Sequence, residues 1–268
     1  MHLKYAFMSF SAPQASLDEL LAIARRYGYD GIEPRVSAGH SHGIEPSTPG
    51  TMRKLIRQKA LDASVALCCI ATSIRFANAK ETAEQLQMAR ACIDLAADLG
   101  VPRLRVFGGS VPQTVSREEA IGTVANSLKQ IATQAEQRNV VVCMETHDDW
   151  CNPLDVAEVM KQVNHPAIGV NWDIMHPVRQ ASVTMDQAFT ILKPWIRHVH
   201  FHDGIFKPDL VLKPVGQGEV DHHRAVQLLK AMDYDGYLSG EWIGWEPPDV
   251  HLPRELATMR TYEEAVQE

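Results

Sequence analysis

The feature of this sequence that most limits its fold is a regular alternation of short apolar segments with longer amphipathic segments along the whole chain. The short segments have the length of buried β-strands, and several are almost wholly apolar, as expected for strands covered on both faces. We predict eight strands, over Leu3–Phe7, Gly31–Pro34, Ala66–Ala71, Arg103–Phe107, Val140–Glu145, Ile168–Trp172, Ile196–Phe201 and Tyr237–Trp242.

The segments between these strands have the apolar spacing of helices. In the first of them, Leu20, Leu21 and Ala24 lie at helical intervals, and Ser16 precedes the segment as a capping residue. The predicted helices are Leu17–Tyr27, Pro49–Ser64, Thr82–Leu99, Arg117–Arg138, Leu154–Val163, Met185–Leu192, His222–Met232 and Arg254–Val266.

Eight strands that alternate with eight helices predict an α/β fold of the (β/α)8 TIM-barrel type. A length of 268 residues suits one such barrel, and no Ser/Gly-rich linker interrupts it, so we predict a single domain over residues 1–268. A doubly wound open sheet is the alternative, but the sequence lacks the Gly-rich phosphate loop that this fold would need. The longest connections, Val36–Thr48 and Gly204–Val220, follow predicted strands, where barrel enzymes build their sites.

Four consecutive predicted strands each carry a metal-binding side chain at or near the carboxyl end. Glu145 ends the fifth strand, Asp173 follows the sixth, and His200 and Glu241 lie near the ends of the seventh and eighth. Because these strand ends meet at one rim, the side chains are expected to converge. Buried carboxylates that converge repel one another unless a cation binds between them. Three carboxylates and one imidazole favour one divalent ion, with Mn²⁺ or Mg²⁺ preferred and Co²⁺ or Zn²⁺ tolerated.

A second interpretation of these acids requires no metal. Each carboxylate could instead cap the helix that follows it or pair with a buried arginine. Arg105, in the fourth predicted strand, is placed to pair with Asp173 or Glu145. The sequence alone leaves this alternative open for any one of the acids.

Alternating histidines in the seventh strand need separate roles. His198, His200 and His202 face the same way from one strand, so all three cannot bind one ion. We interpret His198 as a hydrogen-bonded core residue. For His202, which lies at the rim, contact with a substrate and support of Asp203 are equally compatible with the sequence.

Several motifs surround these residues and extend over nearly the whole chain. They are GYDGIEPR at Gly28–Arg35, ETH at Glu145–His147, D-x-x-H at Asp173–His176, H-x-H-x-x-D at His198–Asp203, GQGEVD at Gly216–Asp221 and LSGEW at Leu238–Trp242. Together they resemble the xylose-isomerase-like barrels, a family that includes sugar-phosphate isomerases and epimerases, ketose 3-epimerases and inosose dehydratases.

The resemblance implies that the four strand-end residues are the metal ligands. It also implies that His176 contacts the substrate beside the metal and that Glu33 is another substrate-site residue. Dimers and tetramers are common in the family, so the resemblance is compatible with a homo-oligomer but leaves the oligomeric state open. One departure concerns the seventh strand, where many members have a lysine and this chain has His202. Substrate contacts that depend on the lysine therefore do not carry over, and His202 is a candidate in its place.

Three further residues are candidate substrate contacts. His147 faces the same way as the ligand two residues before it, so we expect it at the site. Arg179 and Lys213 could bind a substrate carboxylate or phosphate. His222 and His223, at the start of a predicted helix, are expected at the surface instead.

The resemblance implies a metal-dependent isomerase or epimerase that acts on a small keto-sugar or sugar acid through an enediolate. In ketose epimerases two glutamates transfer the protons, and they correspond to Glu145 and Glu241. The alternative is a metal-dependent dehydratase, in which the enediolate expels a β-hydroxyl and His202 or Lys213 acts as the acid.

Two other classes of protein fit the residues poorly. An endonuclease on this fold needs histidines on the second and third strands, which here read GIEPR and ALCCIA. A sugar-binding protein without catalytic activity would not need both strand-end glutamates. We therefore expect an enzyme whose partner is a small polyol carbonyl compound.

Charge and cysteine content exclude some partners and compartments. Lys and Arg total 26 against 33 for Asp and Glu, and a formal charge of −7 argues against binding to nucleic acid. The five cysteines form no C-x-x-C pair, which favours a reducing compartment over a disulfide framework. No segment reaches the roughly 18 apolar residues of a membrane span, so we predict a cytoplasmic protein without a membrane partner.

Overall fold

The strands of the chain form one closed barrel and one small hairpin. The computed structural model describes residues 2–266. Within this range the strands are β1 (Lys4–Met8), β2 (Gly31–Glu33), β3 (Ala66–Leu67), β4 (Ile70–Arg75), β5 (Arg103–Phe107), β6 (Val141–Glu145), β7 (Ile168–Asp173), β8 (Ile196–Phe201), β9 (Asp203–Ile205), β10 (Val211–Lys213) and β11 (Tyr237–Gly240). The barrel order is β3-β2-β1-β11-β8-β7-β6-β5-β4 with parallel pairing throughout, and β9 and β10 form an antiparallel hairpin.

The third predicted strand, Ala66–Ala71, is divided in the structure. Its first part, β3, pairs with β2, whereas β4 pairs with β5, and Cys68 and Cys69 lie between the two parts. A parallel bridge between Arg35 and Ala71 joins the ends of the sheet. Because β3 and β4 together occupy one position, the barrel has eight positions, and the prediction of a TIM barrel is confirmed.

The helices surround the barrel and agree with the predicted set, with small differences at their ends. They are α1 (Leu17–Tyr27), α2 (Gly50–Ala63), α3 (Thr82–Leu99), α4 (Arg117–Gln137), α5 (Pro153–Val163), α6 (Met175–Gln180), α7 (Met185–Leu192), α8 (His222–Ala231) and α9 (Pro248–Ala265). The short helix α6 was not predicted. Helix α9 begins at Pro248 instead of Arg254, because proline fits the first turn of a helix, where its missing N–H has no partner to lose.

Local sequence signals determine where several helices begin. Ser16, Ser116 and Thr184 each accept a hydrogen bond from the backbone N–H three residues later, and the side chain at that later position bonds back. These capping boxes satisfy N–H groups that the first helical turn leaves without partners. They fix the entry of α1, α4 and α7 and so help to orient the preceding loops at the barrel rim.

Alternation along the strands separates packing residues from site residues. In β7, Trp172 points outward and packs against Phe189 of α7, with 5.7 Å between ring centroids. Its neighbours in the strand, Asn171 and Asp173, point the other way, into the barrel, and are fully buried. The inward positions at the carboxyl ends therefore carry polar groups, while the apolar core lies between strands and helices. No helix among residues 2–266 is long and apolar enough to cross a membrane.

All five cysteines are buried free thiols. Burial raises the pKa of the Cys92, Cys143 and Cys151 thiols to about 12, and those of Cys68 and Cys69 well above the usual range. We predict that the folded protein is almost unreactive towards Ellman's reagent at pH 8, because the thiolate is the reactive form. After unfolding in guanidinium all five should react. Rapid reaction of several thiols in the folded protein would contradict this description of the core.

Candidate metal centre

The barrel brings the four predicted ligands to one place at its carboxyl-terminal rim. Glu145 and Asp173 are the last residues of β6 and β7, His200 lies in β8, and Glu241 follows β11. The register pairs Asp173 with His200 in neighbouring strands. One donor atom from each of the four lies within 4.8 Å of the others, and the residues are 0–7% exposed.

His200 lies at the centre of this cluster and contacts a carboxylate from each of its ring nitrogens. Its Nδ1 lies 2.8 Å from Glu145 Oε1 and 3.5 Å from Glu241 Oε2. Its Nε2 lies 3.1 Å from both carboxylate oxygens of Glu33. The imidazole therefore connects the predicted ligands at the rim to an acid deeper in the barrel.

The carboxylates retain free coordinating capacity. Arg105 Nε lies 3.1 Å from Glu145 Oε2, but the two groups are not aligned for a hydrogen bond. Among the residues described, Glu145 Oε2 and Asp173 Oδ2 are buried without a hydrogen-bond partner. Buried oxygens in this state are costly unless a cation or proton meets them, so the donor set fits a divalent ion that prefers oxygen.

Charge in the cluster is balanced by histidine and arginine. Burial would raise the pKa of Glu33, but His200 and His198 hold that pKa well below its usual range. Burial would lower the pKa of His200, but Glu33 and Glu145 raise it well above its usual range. Burial would also raise the pKa of Glu241, but the hydrogen bond and charge of His200 lower it to about 2. Glu33 and Glu241 are therefore ionised, and His200 meets part of their charge. Arg105 lies beside Glu145, as the interpretation without a metal requires.

A cavity of about 300 Å³ opens above the cluster. Its lining is partly polar, from His147, His176, His202 and Glu241, and partly apolar, from Leu210, Leu212 and Ile243. This volume suits a small ligand of the size of a monosaccharide. The apolar part comes mainly from the segment around the β9–β10 hairpin.

The three histidines of the cavity are linked through ring contacts and Asp173. Ring centroids are 4.3 Å apart for His147 and His176 and 5.6 Å apart for His176 and His202. Asp173 Oδ2 lies 3.1 Å from Nε2 of His202 and 3.8 Å from Nε2 of His176. Asp173 therefore faces the cavity histidines with the same oxygen that lacks a hydrogen-bond partner.

These histidines differ in protonation. Burial would lower the pKa of His147, but Asp148 and Glu145 raise it to about 9. Burial would lower the pKa of His202 as well, but Asp173 raises it. For His176 burial prevails and the pKa is lowered. The cavity thus combines charged and neutral imidazoles, which can act as hydrogen-bond donors and acceptors towards substrate oxygens.

Three of the predicted substrate contacts lie elsewhere. Glu33 has no exposed surface and bonds to His198 and His200, so its contacts are with the protein interior. Lys213 lies in β10, and Arg179 lies in α6; neither is among the residues that line the cavity. These three residues therefore do not line this cavity, and their contact with a substrate stays a prediction.

The sequence did not indicate the group that holds the long loop Gly204–Val220. Asp203, fully buried, accepts hydrogen bonds from the backbone N–H groups of Gly204, Gly216, Gly218 and Val220 at 2.8–3.1 Å. A Cβ at Gly218 would lie 2.1 Å from Asp203 Oδ1. The pattern of glycines in GQGEVD is the sequence signal that could have predicted this tight approach of backbone to carboxylate.

One expectation for this region is wrong. His222 was expected at the surface, but it is 1% exposed. Its ring nitrogens lie 3.0 Å from the carbonyl oxygen of Val220 and 3.1 Å from that of His202. His222 therefore packs under the loop and connects its end to the strand that carries the cavity histidine.

Comparison with known proteins agrees with the architecture. A family model described as Xylose isomerase-like TIM barrel matches residues 21–262. A 3-dehydroshikimate dehydratase of Bacillus anthracis is 24% identical over 273 residues, which cover 92% of this chain and 94% of the relative. The crystal structure of a probable 3-DHS dehydratase from Bacillus anthracis superposes with a TM-score of 0.81 at 21% identity, over 96% of this chain and 99% of that one. The structure of an L-ribulose 3-epimerase also gives 0.81, at 17% identity, over 99% of this chain and 96% of that one.

We predict that the purified chain binds about one Mn²⁺ or Mg²⁺ ion and melts at a higher temperature with it. Linkage gives a gain of about 4 kcal/mol at a free ion concentration a thousandfold above the dissociation constant. Glu145→Gln and Asp173→Asn should each reduce both effects, whereas Asp186→Asn, which alters an exposed acid, should leave them unchanged. Metal analysis and thermal melts check this. Full ion content in both site variants would show that the ligands are wrong.

We also predict that Asp203→Asn loosens the loop Gly204–Val220 while metal binding remains. Asparagine has one accepting oxygen and cannot replace the carboxylate that accepts from four N–H groups. The loss of two hydrogen bonds to a charged group should lower the free energy of unfolding by about 3 kcal/mol. Hydrogen exchange should rise selectively in this loop. Asp221→Asn is the matched control, because asparagine caps α8 as well as aspartate does. Equal protection of the loop in both variants would contradict the assignment.

Proposed function

The chain belongs to the xylose isomerase-like TIM barrel family, and we propose that it is a metal-dependent dehydratase of a small polyol carbonyl compound. The proposed reaction removes a proton from the carbon next to a carbonyl group and expels a hydroxyl group from the following carbon. Epimerisation at the same carbon is the second candidate. Both reactions begin with the same proton abstraction, and they differ in where the second proton goes.

One observation favours dehydration over epimerisation: only one of the two strand-end glutamates reaches the cavity. Glu241 lines the cavity and is 7% exposed. Glu145 has no exposed surface and lies between His200 and Arg105, at 2.8 Å and 3.1 Å. Epimerisation by two bases needs a carboxylate on each face of the substrate. A cavity lined by one carboxylate and three histidines is better suited to one base and one acid.

The proposed ion site consists of Glu145, Asp173, His200 and Glu241. A divalent ion bound there would supply positive charge that stabilises the oxyanion formed from the substrate carbonyl. Glu145 would serve chiefly as a ligand, since Arg105 and His200 hold its carboxylate away from the cavity.

The remaining steps fall to side chains that line the cavity. Glu241 accepts the proton from the carbon next to the carbonyl, and the electron pair of that C–H bond enters the enolate. As the enolate collapses, a new C=C bond forms and the C–O bond to the β-hydroxyl breaks. His202 donates a proton to the leaving hydroxyl, so that water departs. Asp173, 3.1 Å from His202, holds that ring at the cavity wall, while His147 and His176 orient the other substrate oxygens.

The similarity to a known dehydratase supports placing dehydration before epimerisation. The dehydratase from Bacillus anthracis matches almost the full length of both chains, whereas the epimerase likeness is one of fold. The substrate named for this relative, 3-dehydroshikimate, is a cyclic keto-acid, and the apolar lining by Leu210, Leu212 and Ile243 suits a ring face better than a chain of hydroxyl groups. We therefore place cyclic keto-acids first among the compounds to test.

Epimerisation is retained as the second candidate because both glutamates belong to one donor cluster. Donor atoms of Glu145 and Glu241 lie within 4.8 Å of each other and on strands that are not neighbours. In ketose epimerases two such glutamates transfer the protons. If a substrate drew Glu145 away from Arg105, the second face would have a base.

We predict that the Mn²⁺-loaded enzyme converts a cyclic keto-acid to an unsaturated product with release of water. A panel of 3-dehydroshikimate, inososes, ketoses and keto-acids in heavy water would be followed by ultraviolet absorbance and NMR. His202→Gln should slow water loss by about 10²–10⁴-fold, the range for loss of a general acid, while exchange of the C–H proton continues. Lys213→Gln, the matched control in the hairpin, should retain activity.

The same panel separates the alternatives. Deuterium on the carbon next to the carbonyl, with net inversion and no loss of water, would establish epimerisation and refute the dehydratase. Loss of activity in Lys213→Gln but not in His202→Gln would assign the role of general acid to Lys213 in place of His202. Turnover of a substrate with neither C–H exchange nor loss of water would refute enolate chemistry altogether.

A further inference from the structure

A buried acid lies beneath the proposed ion site and joins two histidines of β8. Glu33, the last residue of β2, reaches across the barrel interior to β8, which is not its neighbour in the sheet. Its Oε2 lies 2.8 Å from Nε2 of His198, and both of its oxygens lie 3.1 Å from Nε2 of His200. All three residues are fully buried.

Hydrogen-bond chemistry fixes the tautomers of these rings. An ionised carboxylate only accepts hydrogen bonds, so each histidine must present a proton on Nε2. A neutral imidazole protonated at Nε2 has its free lone pair on Nδ1. In His200 this Nδ1 is the nitrogen that faces Glu145 and Glu241, at 2.8 Å and 3.5 Å. Without an ion this Nδ1 also carries a proton, because the carboxylate of Glu145 can only accept a hydrogen bond. An ion that displaces that proton meets a lone pair aimed into the donor cluster.

We propose that Glu33 is a positioning residue that selects the Nε2–H tautomer of His200 and so makes Nδ1 the nitrogen that binds the ion; this inference rests on the proposed metal centre. Metal-bound histidines commonly donate their second N–H to a carboxylate that orients the ring. His198 is the second donor to Glu33 and holds its carboxylate in place. The role replaces the substrate contact expected for Glu33, whose side chain has no exposed surface.

Cys68 also lies beside Glu33 and His198, but the three residues do not form a second ion site. Cys68 offers its sulfur within 4.8 Å of donor atoms of Glu33 and His198. Its Sγ lies 3.3 Å from the backbone oxygen of Ile32, to which the thiol donates. A protonated thiol is a poor ligand, so these three residues form a support for His200 and not a second ion site.

Glu33→Gln tests the proposal because either orientation of the new amide faces His200 with an N–H group. Both oxygens of Glu33 lie 3.1 Å from Nε2 of His200, so the amide nitrogen takes one of these positions. The amide keeps one uncharged accepting oxygen near Nε2 and places an N–H donor at the other position, so the preference for a proton on Nε2 is reduced. We expect ion affinity to fall by about 10–100-fold, the usual effect of losing such a partner.

Two measurements are made on wild type and variants. Competition with a chelator gives the dissociation constant for Mn²⁺, and ¹⁵N NMR of the histidine rings in Mg²⁺-loaded protein gives the tautomer. The expected tautomer of His200 in loaded wild type is Nε2–H, with Nδ1 on the ion. In Glu33→Gln the Nδ1–H tautomer should appear in the fraction of the protein that has not bound the ion. His198→Phe keeps the contact between Glu33 and His200. It should therefore lower ion affinity less than Glu33→Gln does and leave the tautomer of His200 unchanged. Glu263→Gln alters another buried glutamate, which bonds to Leu3 N, and should leave ion affinity unchanged.

The outcomes separate this inference from the metal centre itself. A wild-type protein that binds no ion would overturn both. A wild type that binds the ion, with the same affinity and tautomer in Glu33→Gln, would overturn only the role of Glu33. If Glu33→Gln does not fold, the wild-type spectrum decides: Nε2–H on His200 supports the proposal, and Nδ1–H on the loaded protein refutes it.

Discussion

Everything at the rim of this barrel depends on placing four carboxylates within a few ångströms of one histidine in a largely buried site. Glu33, Glu145 and Glu241 all contact His200, and Asp173 belongs to the same donor cluster. Carboxylates at this spacing and burial repel one another by several kcal/mol unless positive charge lies between them. Arg105 and the histidines supply part of that charge, and the unpartnered oxygens of Glu145 and Asp173 leave room for a divalent ion to supply the rest.

The site has three layers, and each follows from the need to balance these charges. The deepest layer, Glu33 with its two histidines, orients the one nitrogen ligand. The middle layer is the donor cluster, in which Glu145 is enclosed and Glu241 reaches the cavity. The upper layer is a cavity lined by imidazoles and by apolar residues, two of them from the hairpin loop. The difference in exposure between the two glutamates is what directs the proposed chemistry towards one base and one acid.

Much of the fold and the position of the proposed ligands could be predicted because they follow from periodicity. Parallel strands buried on both faces are continuous apolar runs, so a charged residue at the end of such a run, as with Glu145 after VVVCM, stands out. Contacts across the barrel could not be predicted in this way. Glu33 approaches His200 from a strand that is not its neighbour, Leu210 and Leu212 reach the cavity through a long loop, and Lys213 lies outside it despite its promising charge.

The most direct test of the central claim, that the four strand-end donors hold one divalent ion, is a crystal structure of the Mn²⁺-soaked protein with anomalous scattering data. We expect one strong manganese peak within coordination distance of Glu145, Asp173, His200 and Glu241, with His200 bound through Nδ1. A peak bound elsewhere, or a rim in which Arg105 and protonated His200 satisfy the carboxylates and no peak is present, would contradict the account.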